Sequence, residues 1–144
     1  MRIKLLALTL AGLSFGALPA AGLANERTAA PDGAAVTIFS PALGDVVSNP
    51  ITIQFGLAGM GVAPAGVEQK NTGHHHLLIN VDELPDMSAA IPSDDSHRHF
   101  GGGQTQVTLE LPPGEHTLQI LLGDWQHLPH DPAILSEQVA ITVQ

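Results

Sequence analysis

The chain predicts an all-β fold, an antiparallel immunoglobulin-like β-sandwich of about seven short strands. Three observations lead there. Apolar and polar residues alternate over short runs, turn-forming residues separate those runs, and no long stretch carries a helical period.

Val36-Thr37-Ile38-Phe39 is the first such run, stopped by Ser40-Pro41. In Ile51 to Leu57, residues Ile51, Ile53, Phe55 and Leu57 share one face, so the two runs are expected to pair antiparallel across a proline-bounded connection. Ala58 to Gly73 has glycines and Pro64 without periodicity and reads as loop. His74 to Val81 is the next strand. Asp82 to Asp95, with Pro85, Pro92 and five acidic residues, reads as a surface crossover with at most one helical turn at Ala89-Ala90-Ile91. Beyond His97-Arg98-His99-Phe100 and the turn Gly101-Gly102-Gly103, Thr105–Leu111 and His116–Leu122 alternate on either side of Pro112-Pro113-Gly114. That pattern predicts a hairpin. Ser136 to Val143 closes the domain, with Val139, Ile141 and Val143 in phase.

Ahead of the domain, Arg2 and Lys4 precede an apolar run from Leu5 to Leu18, and Gly22-Leu23-Ala24 supplies the small residues of a cleavage site. Residues 1–24 therefore read as an export signal cut before Asn25, with residues 25–34 a flexible lead-in and 35–144 the folded domain. The expected location is periplasmic or secreted, with no membrane span after cleavage. Glycines, Ser14 and Pro19 interrupt the apolar run, which argues against a retained span.

Composition narrows the function further. Removing the leader leaves Arg27, Lys70 and Arg98 against 14 acidic residues, a surface that repels nucleic acid and anionic lipid and attracts cations. Solubility accounts for much of that acidity. There is no cysteine, which excludes a disulfide staple, a thiol nucleophile, an iron–sulfur cluster, c-type haem attachment and a cysteine-ligated copper centre. With no Tyr, one Trp and four Phe, the chain lacks aromatic platforms for stacking on bases or sugars.

Eight histidines stand out in a chain this short. In an extended strand His74 and His76 share one face, about 7 Å apart along the backbone, which suits two ligands of one transition-metal ion. His75 falls on the other face with Leu77 and Ile79 and reads as a buried, hydrogen-bonded core residue. The start of the Thr105 strand and the end of the His116 strand lie at one pole, which His97 and His99 enter and His127 and His130 leave. If the His74 strand pairs antiparallel with the His116 strand, seven of the eight histidines collect there and His116 stands alone at the far pole. The expected metal ligands are His74, His76, His97, His99 and His127. His75, Asp124, His130 and Met60 are outside candidates, Asp124 as an orienting partner and Met60 as a soft ligand or a residue packed under its loop. Such a nitrogen-rich set favours copper or zinc over magnesium or calcium.

The stretches Gly73-His74-His75-His76-Leu77-Leu78-Ile79-Asn80, His97 to Thr105, Leu111 to Gln119 and Leu122 to His127 also carry a resemblance. They are similar to the bacterial family known as domain of unknown function 4399, over about residues 35–143. The resemblance implies a small exported β-sandwich with no established activity. It includes His116, which the pole argument leaves unexplained.

The expected function is that of an exported metal-binding protein, copper before zinc, acting as a carrier or buffer whose partner is the metal ion. The alternative is a non-catalytic module of the cell envelope, with another envelope protein as partner, in which the histidines form a loop-fixing hydrogen-bond network. Catalysis ranks third and is not expected. A three-histidine site can activate water, but nothing in the sequence brings nucleophile, base and pocket together.

Overall fold

The structure, a computed structural model, describes residues 26–144. The expected export signal and its cleavage site lie outside the described residues. Nine strands follow in chain order: β1 (Ala35–Ser40), β2 (Val46–Val47), β3 (Ile51–Ala58), β4 (Gly61–Val62), β5 (Thr72–Ile79), β6 (His97–His99), β7 (Gln106–Leu109), β8 (Gly114–Gly123) and β9 (Val139–Val143). No helix occurs among the described residues, so none is long and apolar enough to cross a membrane.

The strands form two sheets. One has the order β1-β3-β7, and the other β2-β9-β8-β5-β4 with β6 added to β5. Pairing is mostly antiparallel, but β2 runs parallel to β9 and β4 parallel to β5. Alternation does the packing. Ile51, Ile53 and Phe55 of β3 meet Leu77 and Ile79 of β5, Leu118, Ile120 and Leu122 of β8, and Ile141 and Val143 of β9 in one buried cluster. This is the all-β, sandwich-like architecture that the period-two pattern implies.

The hairpin expected around Pro112-Pro113-Gly114 does not form. Strand β7 pairs with β3, whereas β8 pairs with β5 and β9, so the segment between them passes from one sheet to the other. Two consecutive prolines supply no N–H for a ladder, and both edges of β8 are already occupied. The poles survive this change, because a strand that crosses between sheets still reverses direction.

Strand β5 departs from simple alternation in another way: Gly73 to Ile79 are all buried. Its second face is covered by the crossover, where Leu78 and Leu121 pack against Ile91, with Val81, Met87 and Leu135 around them. The crossover therefore roofs a minor core. The lead-in is docked as well. Arg27 Nε donates to the Pro129 carbonyl at 3.0 Å, its Nη2 donates to the His130 carbonyl, and Ala30 N donates to the Asp131 carbonyl at 2.9 Å. Residues 26–34 are thus less free than their small, polar composition suggests, because the loop carbonyls beside them need donors.

Candidate metal centre

The site begins with pairing register. In β5 and β8, His74 lies opposite Gly123, His75 opposite Leu122 and His76 opposite Leu121. His74 and His76 therefore project from the roofed face, side by side. Strand β6 adds to the other edge of β5, and pairing His99 with His76 brings a third imidazole to the same level. The ring centroids of His74 and His76 are 4.8 Å apart, and those of His76 and His99 are 5.0 Å apart.

The fourth ring comes from the loop after β8. Asp124 Oδ1 accepts from the backbone N–H of Gln126 at 2.8 Å and of Leu128 at 2.9 Å, while its Oδ2 accepts the Thr28 hydroxyl at 2.7 Å. His127 N donates back to the Asp124 carbonyl at 2.9 Å, and Ile91 N donates to the His127 carbonyl at 2.9 Å. This turn holds His127 at φ 69°, a left-handed conformation that costs a non-glycine residue energy and persists only when its surroundings impose it. Its ring then lies 5.0 Å from His74 and 4.8 Å from His99.

Two glycines make room for the rings. A Cβ on Gly123 would lie 2.9 Å from His76 Nε2, and one on Gly101 would lie 2.4 Å from His99 Cε1. Both distances are below real contact, so the rings occupy space that only glycine leaves.

Burial, above all, favours the neutral form of three of the rings, His74, His76 and His99. Burial, with His127 and His99 facing it, lowers the His74 pKa to about 4, against the weak pull of Asp124. Burial and the neighbouring imidazoles lower His76 to about 2. His99 is lowered by burial and by His127. At neutral pH these rings present lone pairs, the form that a metal ion takes up. His74 Nε2 and His76 Nε2 lie 3.0 Å apart, one donating and one accepting, yet His74 Nδ1, His76 Nδ1 and His99 Nε2 are buried without a partner. Native interiors rarely leave such atoms unpaired.

His74, His99 and His127 each offer one ring nitrogen, and these three atoms lie within 4.8 Å of one another. A point no more than about 2.8 Å from all three therefore exists, and closing it to the ~2.0–2.1 Å of a metal–imidazole bond takes less than an ångström of ring movement. His74 and His76 are fully buried, whereas His99 and His127 are partly exposed, so the set opens to solvent on their side.

The other candidates go elsewhere. His97 pairs opposite Leu78, one side-chain step beyond the His76–His99 level, and its Nδ1 donates to Asp94 Oδ1 at 2.9 Å. It is not one of the converging rings. His75 points into the main core, 4.9 Å from the Phe55 ring, and burial lowers its pKa to about 4. Neither of its nitrogens makes a close hydrogen bond, and the Gln104 backbone, which favours the charged ring, is the nearest approach to the hydrogen-bonded role expected of it. His130 is fully buried with both nitrogens unpartnered, and burial lowers its pKa against the opposing effect of Asp124. Asp124 organises the loop, and Met60 packs against the main core.

Seven histidines at one pole therefore become four converging rings. At the far pole, His116 Nε2 donates to the Pro112 carbonyl at 2.7 Å and its Nδ1 accepts from Asn80 Nδ2 at 2.9 Å. Asn80, at φ 55°, also accepts from Thr117 N through Oδ1. His116 thus ties the end of β5 to the start of β8. Asp124 followed by Gln126 and Leu128 amides is an Asx-type turn, and Gly123-Asp124 was the available signal for it.

Fold and site together define a small all-β domain whose larger sheet carries an imidazole cluster at one end. The chain belongs to the family described as Domain of unknown function (DUF4399), whose model matches residues 53–144. No curated protein and no solved structure matches it.

Proposed function

We propose that the protein is an exported metal-binding carrier or buffer, taking copper in preference and zinc as the alternative. The observation that carries this reading is the meeting of ring nitrogens from His74, His99 and His127 within 4.8 Å, beside buried imidazole nitrogens that have no other partner. His76 backs His74 and is the fourth nitrogen source. An all-imidazole set without thiolate or carboxylate suits Cu(II) or Zn(II), with copper the tighter by intrinsic affinity. The sequence leader supports export to the periplasm or beyond.

The competing reading, an envelope module whose histidines fix loops by hydrogen bonding, asks for satisfied rings. A single imidazole–imidazole hydrogen bond joins the four rings here, which weighs against it. Calorimetric titration with Cu(II) and Zn(II) tests the proposal, run on the wild type and on a variant carrying His74→Ala, His99→Ala and His127→Ala. One equivalent bound by the wild type and none by the variant is expected. Equal, weak binding by both removes the metal reading.

A further inference from the structure

Beside the cluster runs a groove of about 540 Å³ between β6 and β7, lined by Asp94, Asp95, His97, His99, Phe100 and Val107 among others. His99 belongs both to this groove and to the four-ring cluster. His97 precedes it by two residues, so the two imidazoles lie on one face of β6, about 7 Å apart along the backbone. The groove and the proposed centre thus share His99.

His97 has the character of a ligand although it stands outside the cluster. Its Nδ1–H donates to Asp94 Oδ1 at 2.9 Å, and that carboxylate is itself fixed by the backbone N–H of Ser96 at 2.8 Å and of His97 at 2.9 Å. A carboxylate on one ring nitrogen sets the tautomer, so that Nε2 carries the lone pair. The Asp94 contact fixes the ring and leaves Nε2 as its free nitrogen. Arg98 also lines the groove, but its guanidinium lies 3.8 Å from Asp95, which leaves Asp94 to His97.

We propose that His97, held by Asp94, is an entry station for the metal ion, which binds His97 Nε2 in the groove and passes to His99 and then to the buried nitrogens. This inference rests on the metal-binding reading of the cluster. The step is ligand exchange only. One metal–nitrogen bond forms as another breaks, and the ion keeps its oxidation state and its charge. A station of this kind alters the barrier between solvent and centre but not the stability of the end states, so it changes loading and release equally.

Stopped-flow mixing of the purified chain with glycine-buffered Cu(II), followed by removal with excess EDTA, reads both directions. In His97→Gln, loading and release are expected to slow by the same factor, roughly ten, the lower end of what losing a supporting residue costs at a metal site. Asp94→Asn should slow both several-fold, and added salt should slow its loading less than that of the wild type. Circular dichroism melting checks that each variant is folded. His97→Gln at wild-type rates overturns the station while leaving the centre intact. A His97→Gln variant with weakened equilibrium binding also overturns it, by making His97 a ligand of the centre itself. A wild type that takes up neither Cu(II) nor Zn(II) removes the metal reading, and the station with it.

Discussion

His116 and His74 lie near opposite ends of β8, both buried, and they meet opposite fates. His116 has a carbonyl on one nitrogen and an amide on the other. The His74 ring meets other imidazoles and keeps a buried nitrogen without a partner. The difference shows what separates a structural histidine from a candidate ligand. At the far pole the chain supplies backbone and amide groups that satisfy the ring, whereas at the cluster it brings together only groups that want the same thing, a proton or a cation.

The sharpest way to break this contrast is to add metal. Cu(II) at about a thousandfold over Kd should stabilise the wild type by about 4 kcal/mol, and leave the His74/His99/His127 alanine variant unmoved, in thermal melts. His116→Ala should keep the full metal-induced shift, because its ring serves the fold alone.

Acid is the next lever. The His74 ring titrates near 4 in the folded domain and near 6.5 when unfolded, so between those values the unfolded chain binds more protons. Metal-free stability should therefore be whole above pH 6.5 and fall as pH drops toward 4, by on the order of 3 kcal/mol for His74 alone. His75 and His76 act in the same direction. A melting temperature that stays flat from pH 7 to pH 4.5 would contradict the buried, neutral rings of His74 and His76.

His116→Ala should cost about 1–2 kcal/mol in metal-free buffer, since it removes the hydrogen bonds to the Pro112 carbonyl and the Asn80 amide, and urea denaturation measures it. The smallest effect concerns His75. Both of its nitrogens are orphaned against Phe55, and no other imidazole is needed to explain it, so His75→Leu should be neutral or stabilising by about 1 kcal/mol. A loss of more than that amount would reveal a partner for the ring.

Much of this arrangement was legible in the residues. The alternation in Ile51–Leu57 and in His116–Leu122 marked strands, and the His74–His76 spacing put two imidazoles on one face. The antiparallel meeting of β5 with the end of β8 followed from topology. Pro112-Pro113-Gly114 announces a reversal without saying whether it stays in one sheet, so the hairpin it suggests gives way to a crossing between sheets. His97 and His99 are indistinguishable by pattern, and only the pairing of His99 with His76 separates them. Gly101 and Gly123 gave no sign that their missing side chains leave room for rings.

Local chemistry was thus written in the chain: which residues extend, which faces are apolar, which side chains can bind a cation, and that no thiol competes. Tertiary structure alone decided which four of eight histidines converge, which one is satisfied at the far pole, and that the Asp82–Asp95 crossover roofs the second face of β5. Period-two alternation specifies the face a side chain takes within its own strand. The partner it meets depends on register and on chain crossings between sheets, which are set by contacts between residues far apart in sequence.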